Sequence, residues 1–274
     1  MPVVYKGVEY RAADAHTHIY PEKVAEKATA SVGRFYGLEM RHVGLPEILK
    51  ETGEAAGIDR FLVCSVATKP EQVESINSFI QKAVADNQSF VGLGAWHQDL
   101  QDVEAGIDSI IRRGLRGVKL HPDFQGVEID SPKLTPFYRA AARERLPVLF
   151  HTGDSRMDFS SPQRLLRVLW KTPELICTAA HLGGYTQWSQ ARECLKGTGV
   201  YVDTSSSLPF LSKEEALLSI EAFGQDRVMF GTDFPMWTEK KELEDFFALG
   251  LSEEVNRRIL YDNFASLYLG AGRG

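Results

Sequence analysis

The chain has 274 residues, 43% hydrophobic and 25% charged, with a formal net charge of −6. That length suits one large α/β domain or two small ones. The composition argues against disorder, and the mild acidic excess gives no basic field for a nucleic-acid backbone. No stretch of about 18 apolar residues marks a membrane span, and "MPVVYKGVEYRAADAH" lacks the pattern of a secretory signal. Three widely spaced cysteines, Cys64, Cys177 and Cys194, fit reduced thiols, so a cytoplasmic protein is expected.

Short β-rich runs alternate with longer helical patterns. Strands are expected over 11–18, 60–66, 89–96, 115–121, 147–152, 175–181, 199–205 and 227–233. Helices are expected over 70–87, 102–114, 134–145, 161–171, 187–197, 212–224, 239–250 and 252–270. Ser161 with Pro162 reads as a helix start, Ser212 with Glu215 as a capping box, and Ser252 as a further cap. The segment 21–44 is long for a βα connection and could cover one end of the fold. Eight strands, each followed by helix, predict one α/β domain over residues 1–274, a (β/α)8 TIM barrel. An open doubly wound sheet would show a glycine-rich turn after the first strand, where this chain has His-Thr-His.

Chemistry-bearing residues mark the C-terminal ends of the strands, which meet at one mouth in a barrel. The first ends in His16 and His18, the fourth carries Lys119 and His121, the fifth ends at His151, the sixth at His181 and the eighth at Asp233. Residues two apart on a strand share a face, so His16 and His18 can reach one ion, with Asp14 on the same parity. His151 and Asp233 would complete a nitrogen- and oxygen-rich site suited to Zn, with Mn or Fe as alternatives.

"DAHTH", "LFHTG", "AAHLGG" and "FGTDFP", in that order, resemble the motifs of the amidohydrolase superfamily, over nearly the whole chain. The resemblance is closest to the amidohydrolase-related branch that includes the aminocarboxymuconate-semialdehyde decarboxylases. It implies a metal held by His16, His18, His151 and Asp233. His181 would then stand beside the metal-bound water or substrate as a proton shuttle, and Asp233 would double as ligand and base. Lys119 would bridge two metals as a carboxylated lysine, face the substrate or support the ligands as a point charge, or form a plain structural ion pair.

The primary expectation is hydrolysis of an amide, ester or lactone of a small acidic molecule through a metal-activated water. Non-oxidative decarboxylation in the same pocket is the alternative, and a non-catalytic ligand-binding barrel is an alternative of another class. His121, Arg156 and Trp237 join Lys119 as candidate substrate contacts. Ser205 to Ser207 are candidate donors, and Trp96-His97 and Pro235-Met236 candidate walls. The expected partner is a small molecule, without nucleic acid or membrane, and a homodimer is left open.

Overall fold

Nearly every strand of the fold is short and apolar on both faces, the pattern of a parallel sheet covered by helices. The structure, a computed structural model, describes residues 2–270, so the ends of the expected 1–274 domain lie outside the described residues. A hairpin not foreseen from the sequence comes first, β1 (Val3–Tyr5) and β2 (Val8–Tyr10), paired antiparallel. The barrel strands follow: β3 (Ala13–His18), β4 (Arg60–Cys64), β5 (Phe90–Gly92) with β6 (Gly94–Ala95), β7 (Val118–Leu120), β8 (Val148–Phe150), β9 (Cys177–Ala179), β10 (Tyr201–Asp203) and β11 (Val228–Met229).

Pairing is parallel throughout these strands. It runs β3-β4-β5 in one stretch and β6-β7-β8-β9-β10-β11 in the other. The segments β5 and β6 are two parts of one expected strand: Leu93 N donates to Val63 O, while Gly94 N donates to Gly117 O. At the remaining seam the first and last strands meet. Ala15 N donates to Phe230 O at 2.9 Å, Asp233 N to His16 O at 2.9 Å and His18 N to Phe234 O at 2.7 Å. Together these contacts carry the pairing around the (β/α)8 fold.

Alternation sorts the strand side chains into two cores. Leu62 and Cys64 of β4 and Leu149 of β8 pack inside the barrel with Ala13, Ala15, Leu93 and Met229. Their neighbours Phe61, Val63, Val148 and Phe150 pack outward against the helices. Tyr261, Phe264 and Tyr268, from the C-terminal helical segment, join the interior cluster. Strand β3 departs from simple alternation because its register slips between Asp14 and Thr17. Ala13 and Ala15 join the interior cluster, while the Asp14 carboxylate accepts from the His16 and Thr232 backbone N–H groups and the Thr232 hydroxyl and belongs to none of the converging ligand groups, so it does not stand with the histidine rings. A bulge of this kind re-aims side chains.

The helices are α1 (Glu22–Tyr36), α2 (Pro46–Ala56), α3 (Val73–Asp86), α4 (Val103–Arg112), α5 (Pro122–Gln125), α6 (Thr135–Arg143), α7 (Pro162–Lys171), α8 (Trp188–Leu195), α9 (Lys213–Phe223), α10 (Glu239–Ala248) and α11 (Glu253–Arg257). From α11 the chain continues through two π-helical turns to Leu269. The Ser212–Glu215 capping box forms, and Ser252 accepts from Val255 N. Ser161 occupies the cap position of α7, but its hydroxyl makes no capping hydrogen bond. Helix α1 accounts for much of the long segment after the first barrel strand. Among the described residues, no helix is long and apolar enough to cross a membrane.

Candidate active site

The first barrel strand brings His16 and His18 to the mouth, and the last brings Asp233 beside them. The two Nε2 atoms are 3.2 Å apart, and Asp233 Oδ1 lies 3.6 Å from His16 Nε2 and 3.4 Å from His18 Nε2. Behind His16, its Nδ1 lies 3.2 Å from Asp203 Oδ2 and 2.9 Å from Ser205 Oγ. Asp203 can only accept, so Nδ1 carries the proton and a bare Nε2 faces the mouth. A buried carboxylate oxygen and imidazole nitrogens converging at these separations fit a divalent cation by both spacing and donor type. Burial alone would raise the Asp233 pKa. The facing imidazoles of His16, His18 and His181 outweigh it and hold the carboxyl well below its usual range.

His151 and His181 form a second pair on the other side of the mouth. His151 Nδ1 is 3.0 Å from His181 Nε2, and His181 Nδ1 donates to the Ser205 carbonyl at 3.0 Å. The expected four-residue ligand set is therefore not one tight cluster: His16, His18 and Asp233 converge, and His151 turns its Nε2 away, toward Asp123 Oδ2 at 3.7 Å. Lys119 stands next to the three-residue cluster, with Nζ 2.9 Å from His16 Nε2. It is almost wholly buried, which lowers its pKa. Among the described residues no carboxylate lies within ion-pair distance of it.

His121 caps the short helix α5 by accepting Phe124 N–H on Nδ1, and its Nε2 is 3.0 Å from Tyr36 Oη. Its ring stacks between Phe124 and His151, at centroid distances of 3.8 and 4.0 Å. Burial pushes both His121 and His151 well below the usual imidazole range, and the nearby cationic groups push the same way.

The cavity over these groups measures about 920 Å3 and has an apolar and aromatic wall that includes Val32, Phe35, Tyr36, Phe124 and Met236. Arg156 and Trp237, read from sequence as substrate contacts, do not line it. The Arg156 guanidinium is taken by Asp154 at 2.6 Å and by the Phe35 carbonyl at 2.7 Å, so it braces the end of α1. Trp237 Nε1 donates to Ser206 Oγ at 2.9 Å, and Ser206 donates to Asp233 Oδ2 at 2.6 Å. Of the candidate walls, Pro235 and Met236 line the cavity, whereas Trp96 stacks on Phe137 in the outer core.

Asp203, Asp123 and Tyr36 were not singled out as site residues. Asp203 lies near the end of the expected strand 199–205 and ends β10, so the rule that found His151 and Asp233 also points to it. Tyr36 carried no comparable signal, because its place depends on how α1 lies over the mouth. Backbone strain also gathers here: His181 and Asp233 have φ of 62° and 65°, in the left-handed region. Such residues cost about 1–3 kcal/mol each and persist where surrounding bonds fix them. Here His181 N donates to Asp203 Oδ1, and Asp233 N to His16 O.

No curated protein sequence matches the chain. Solved structures do match. The 5-carboxyvanillate decarboxylase of Sphingomonas paucimobilis has a TM-score of 0.74 at 15% identity, covering 95% of this chain and 99% of its own. A dihydroxybenzoic acid decarboxylase from Polaromonas, solved with manganese and 2-nitroresorcinol, gives 0.74 at 16%, covering 95% and 97%. The 5-carboxyvanillate decarboxylase of Novosphingobium aromaticivorans, with manganese and 4-hydroxy-3-methoxy-5-nitrobenzoic acid, gives 0.76 at 16%, covering 95% and 96%. At these identities the likeness establishes the fold. The sequence pattern described as Amidohydrolase matches residues 13–269, and by that match over most of its length this chain belongs to the amidohydrolase family.

Proposed function

We propose that the protein is a metal-dependent, non-oxidative decarboxylase of a small hydroxylated aromatic acid. The observation that carries this reading is Lys119: a buried ammonium beside the ligand cluster, lining an aromatic-walled cavity, with no carboxylate of the described chain to pair with. A buried charge of this kind calls for an anionic partner, and a substrate carboxylate or phenolate supplies one. Further support comes from the decarboxylases that share the fold, two of them with manganese and a nitroaromatic ligand. On that ground decarboxylation displaces the hydrolytic reading that ranked first from the sequence. Hydrolysis stays as a second reading on one observation: His151 Nδ1 and His181 Nε2 converge at 3.0 Å near Lys119, as a second metal and a carboxylated lysine would require.

In this reading His16, His18 and Asp233, together with His151 through Nδ1, would hold the metal. Zinc was expected from the ligand types, and the manganese of the two relatives makes manganese the first ion to test. When bound, the ion supplies a Lewis-acid anchor for the substrate's carboxylate and neighbouring oxygen. Lys119 holds negative charge on the substrate. His181, whose Nδ1–H is held by the Ser205 carbonyl, acts as the acid after taking a second proton from solvent on Nε2; burial lowers its pKa, so that proton is readily given up. As the bond to the carboxyl carbon breaks, its electron pair stays on the ring carbon and CO2 leaves. The His181 proton then forms the new C–H bond. Asp233, ionised and steadied by Ser206, offsets the imidazolium charge. The apolar wall keeps water from the departing group.

The test offers manganese- and zinc-loaded protein a panel of carboxyl-labelled hydroxybenzoates beside lactones and amides. Labelled CO2 release is expected. Lactone or amide cleavage without CO2 would replace this reading with hydrolysis. A preparation that holds no stoichiometric metal and turns over nothing would favour the ligand-binding barrel.

A further inference from the structure

Tyr36 ends helix α1, outside the barrel strands, yet its hydroxyl lies among the site histidines. Its oxygen is 3.0 Å from His121 Nε2 and 3.5 Å from His151 Nε2, and the residue lines the cavity. Among the described residues these two nitrogens are its only hydrogen-bond partners.

The direction of the protons follows from the surrounding bonds. His121 Nδ1 accepts Phe124 N–H at 3.3 Å, so that nitrogen is bare. A neutral imidazole has one proton, and in His121 it sits on Nε2 and is donated to the Tyr36 oxygen. His151 turns Nδ1 toward His181 and the ligand cluster. Where Nδ1 would be a ligand of the metal, as the proposed site has it, the His151 proton is on Nε2, which also faces Tyr36. Both neighbours therefore donate to the phenol oxygen, and neither accepts. The Tyr36 proton is left to point into the cavity.

The frame that holds this arrangement is stiff. Phe124, His121 and His151 stack with interplanar angles of 2° and 4°. Arg156 grips the Phe35 carbonyl next to Tyr36, and its guanidinium carbon lies 5.4 Å from the Tyr36 ring centroid.

We propose that Tyr36 binds substrate by donating its hydroxyl proton to a substrate oxyanion, a carboxylate or phenolate oxygen, on the α1 side of the ligand cluster. His121 is the positioning residue that makes Tyr36 a donor. The inference rests on the reading of this site as one for a carboxylated aromatic, and its test separates the two.

Manganese-loaded wild type, Tyr36→Phe and His121→Asn are titrated with 5-nitrosalicylate, followed by its absorbance. Asparagine keeps a side-chain acceptor for Phe124 N–H and removes the donor to Tyr36. Tyr36→Phe is expected to weaken binding about 10- to 100-fold, the scale of a hydrogen bond to a charged group. His121→Asn is expected to weaken it several-fold, and the double variant no further than Tyr36→Phe alone, since the two act in series. Tyr36→Phe binding within twofold of wild type overturns the proposal. So does a nitrogen NMR spectrum of the ligand-free wild type that places the His121 proton on Nδ1. Malonate, a dicarboxylate without a ring, is the second probe. If wild type ignores nitrosalicylate but binds malonate with the same dependence on Tyr36, the aromatic reading falls and the role of Tyr36 stands. If neither probe shows that dependence, the proposal falls.

Discussion

Asp203 Oδ2 and His16 Nδ1 are 3.2 Å apart, and both side chains are almost completely enclosed. The pair fixes which nitrogen of His16 is bare. Asparagine at 203 keeps the shape and removes the charge, so the ring loses the partner that sets its tautomer. Asp203→Asn is expected to lower metal affinity about 10- to 100-fold, the usual cost of changing a partner behind a ligating histidine. Competition with a chromophoric chelator measures it. Affinity within twofold of wild type would show that Asp203 does not orient the ligand.

Metal should also report on folding. Ligands drawn from opposite sides of one seam bind an ion only when that seam is formed, so the ion stabilises the native state by mass action. At 100 times its dissociation constant, manganese is expected to add about 2.7 kcal/mol. For a domain of this size that raises Tm by about 5–10 °C. Thermal unfolding with manganese, and again after chelation, checks this. An unchanged Tm would argue against a site on these residues.

Gly53 tests packing between α2 and the barrel. A Cβ there would lie 2.2 and 2.3 Å from two ring carbons of Phe61, which is completely buried. Helix propensity alone favours alanine by about 1 kcal/mol. Overpacking a fixed aromatic ring costs about 1–3 kcal/mol and should win. Gly53→Ala is therefore expected to lower stability in urea unfolding, and a stabilised variant would show that α2 can move off β4.

Glu242 on α10 gives the chain a pH dependence of its own. It is fully buried, and neither carboxylate oxygen has a hydrogen-bond partner. Burial, then the charges of Asp245 and Asp14, push its pKa from 4.5 up to about 9. The folded state thus keeps a proton that the unfolded state releases above about pH 4.5. Stability from this group is complete below that pH and declines as pH rises toward 9. Glu242→Gln cannot ionise, so its stability relative to wild type should improve between pH 5 and pH 8.5 by on the order of 3 kcal/mol. Urea unfolding at the two pH values measures the change, and a constant difference would refute it.

The strand ends were legible because a parallel barrel imposes simple rules. Strands of four to eight residues alternate with helices, and residues after each strand collect at one mouth. Those rules led to His16, His18, Lys119, His151, His181 and Asp233. They failed where side-chain direction depends on more than chain order. Across the slip in β3 the Asp14 carboxylate turns to Thr232 rather than to the histidine rings, and no period-two count anticipates a bulge. Arg156 looked free in the sequence, but Asp154 two residues earlier and the Phe35 carbonyl claim it. The first hairpin turns on Lys6 and Gly7, both at positive φ between β1 and β2, and Gly7 is its one sequence mark.

His16 and Asp233 come from the first and last strands of the barrel, and the His16 carbonyl accepts the Asp233 N–H across the seam. A nascent chain therefore makes the first two candidate ligands early and waits for almost all the rest before the third appears. Half-barrels, truncated products and stalled folding intermediates that lack the last strand cannot assemble the three-residue cluster. Metal capture then becomes a late event, reserved for molecules whose two ends have found each other.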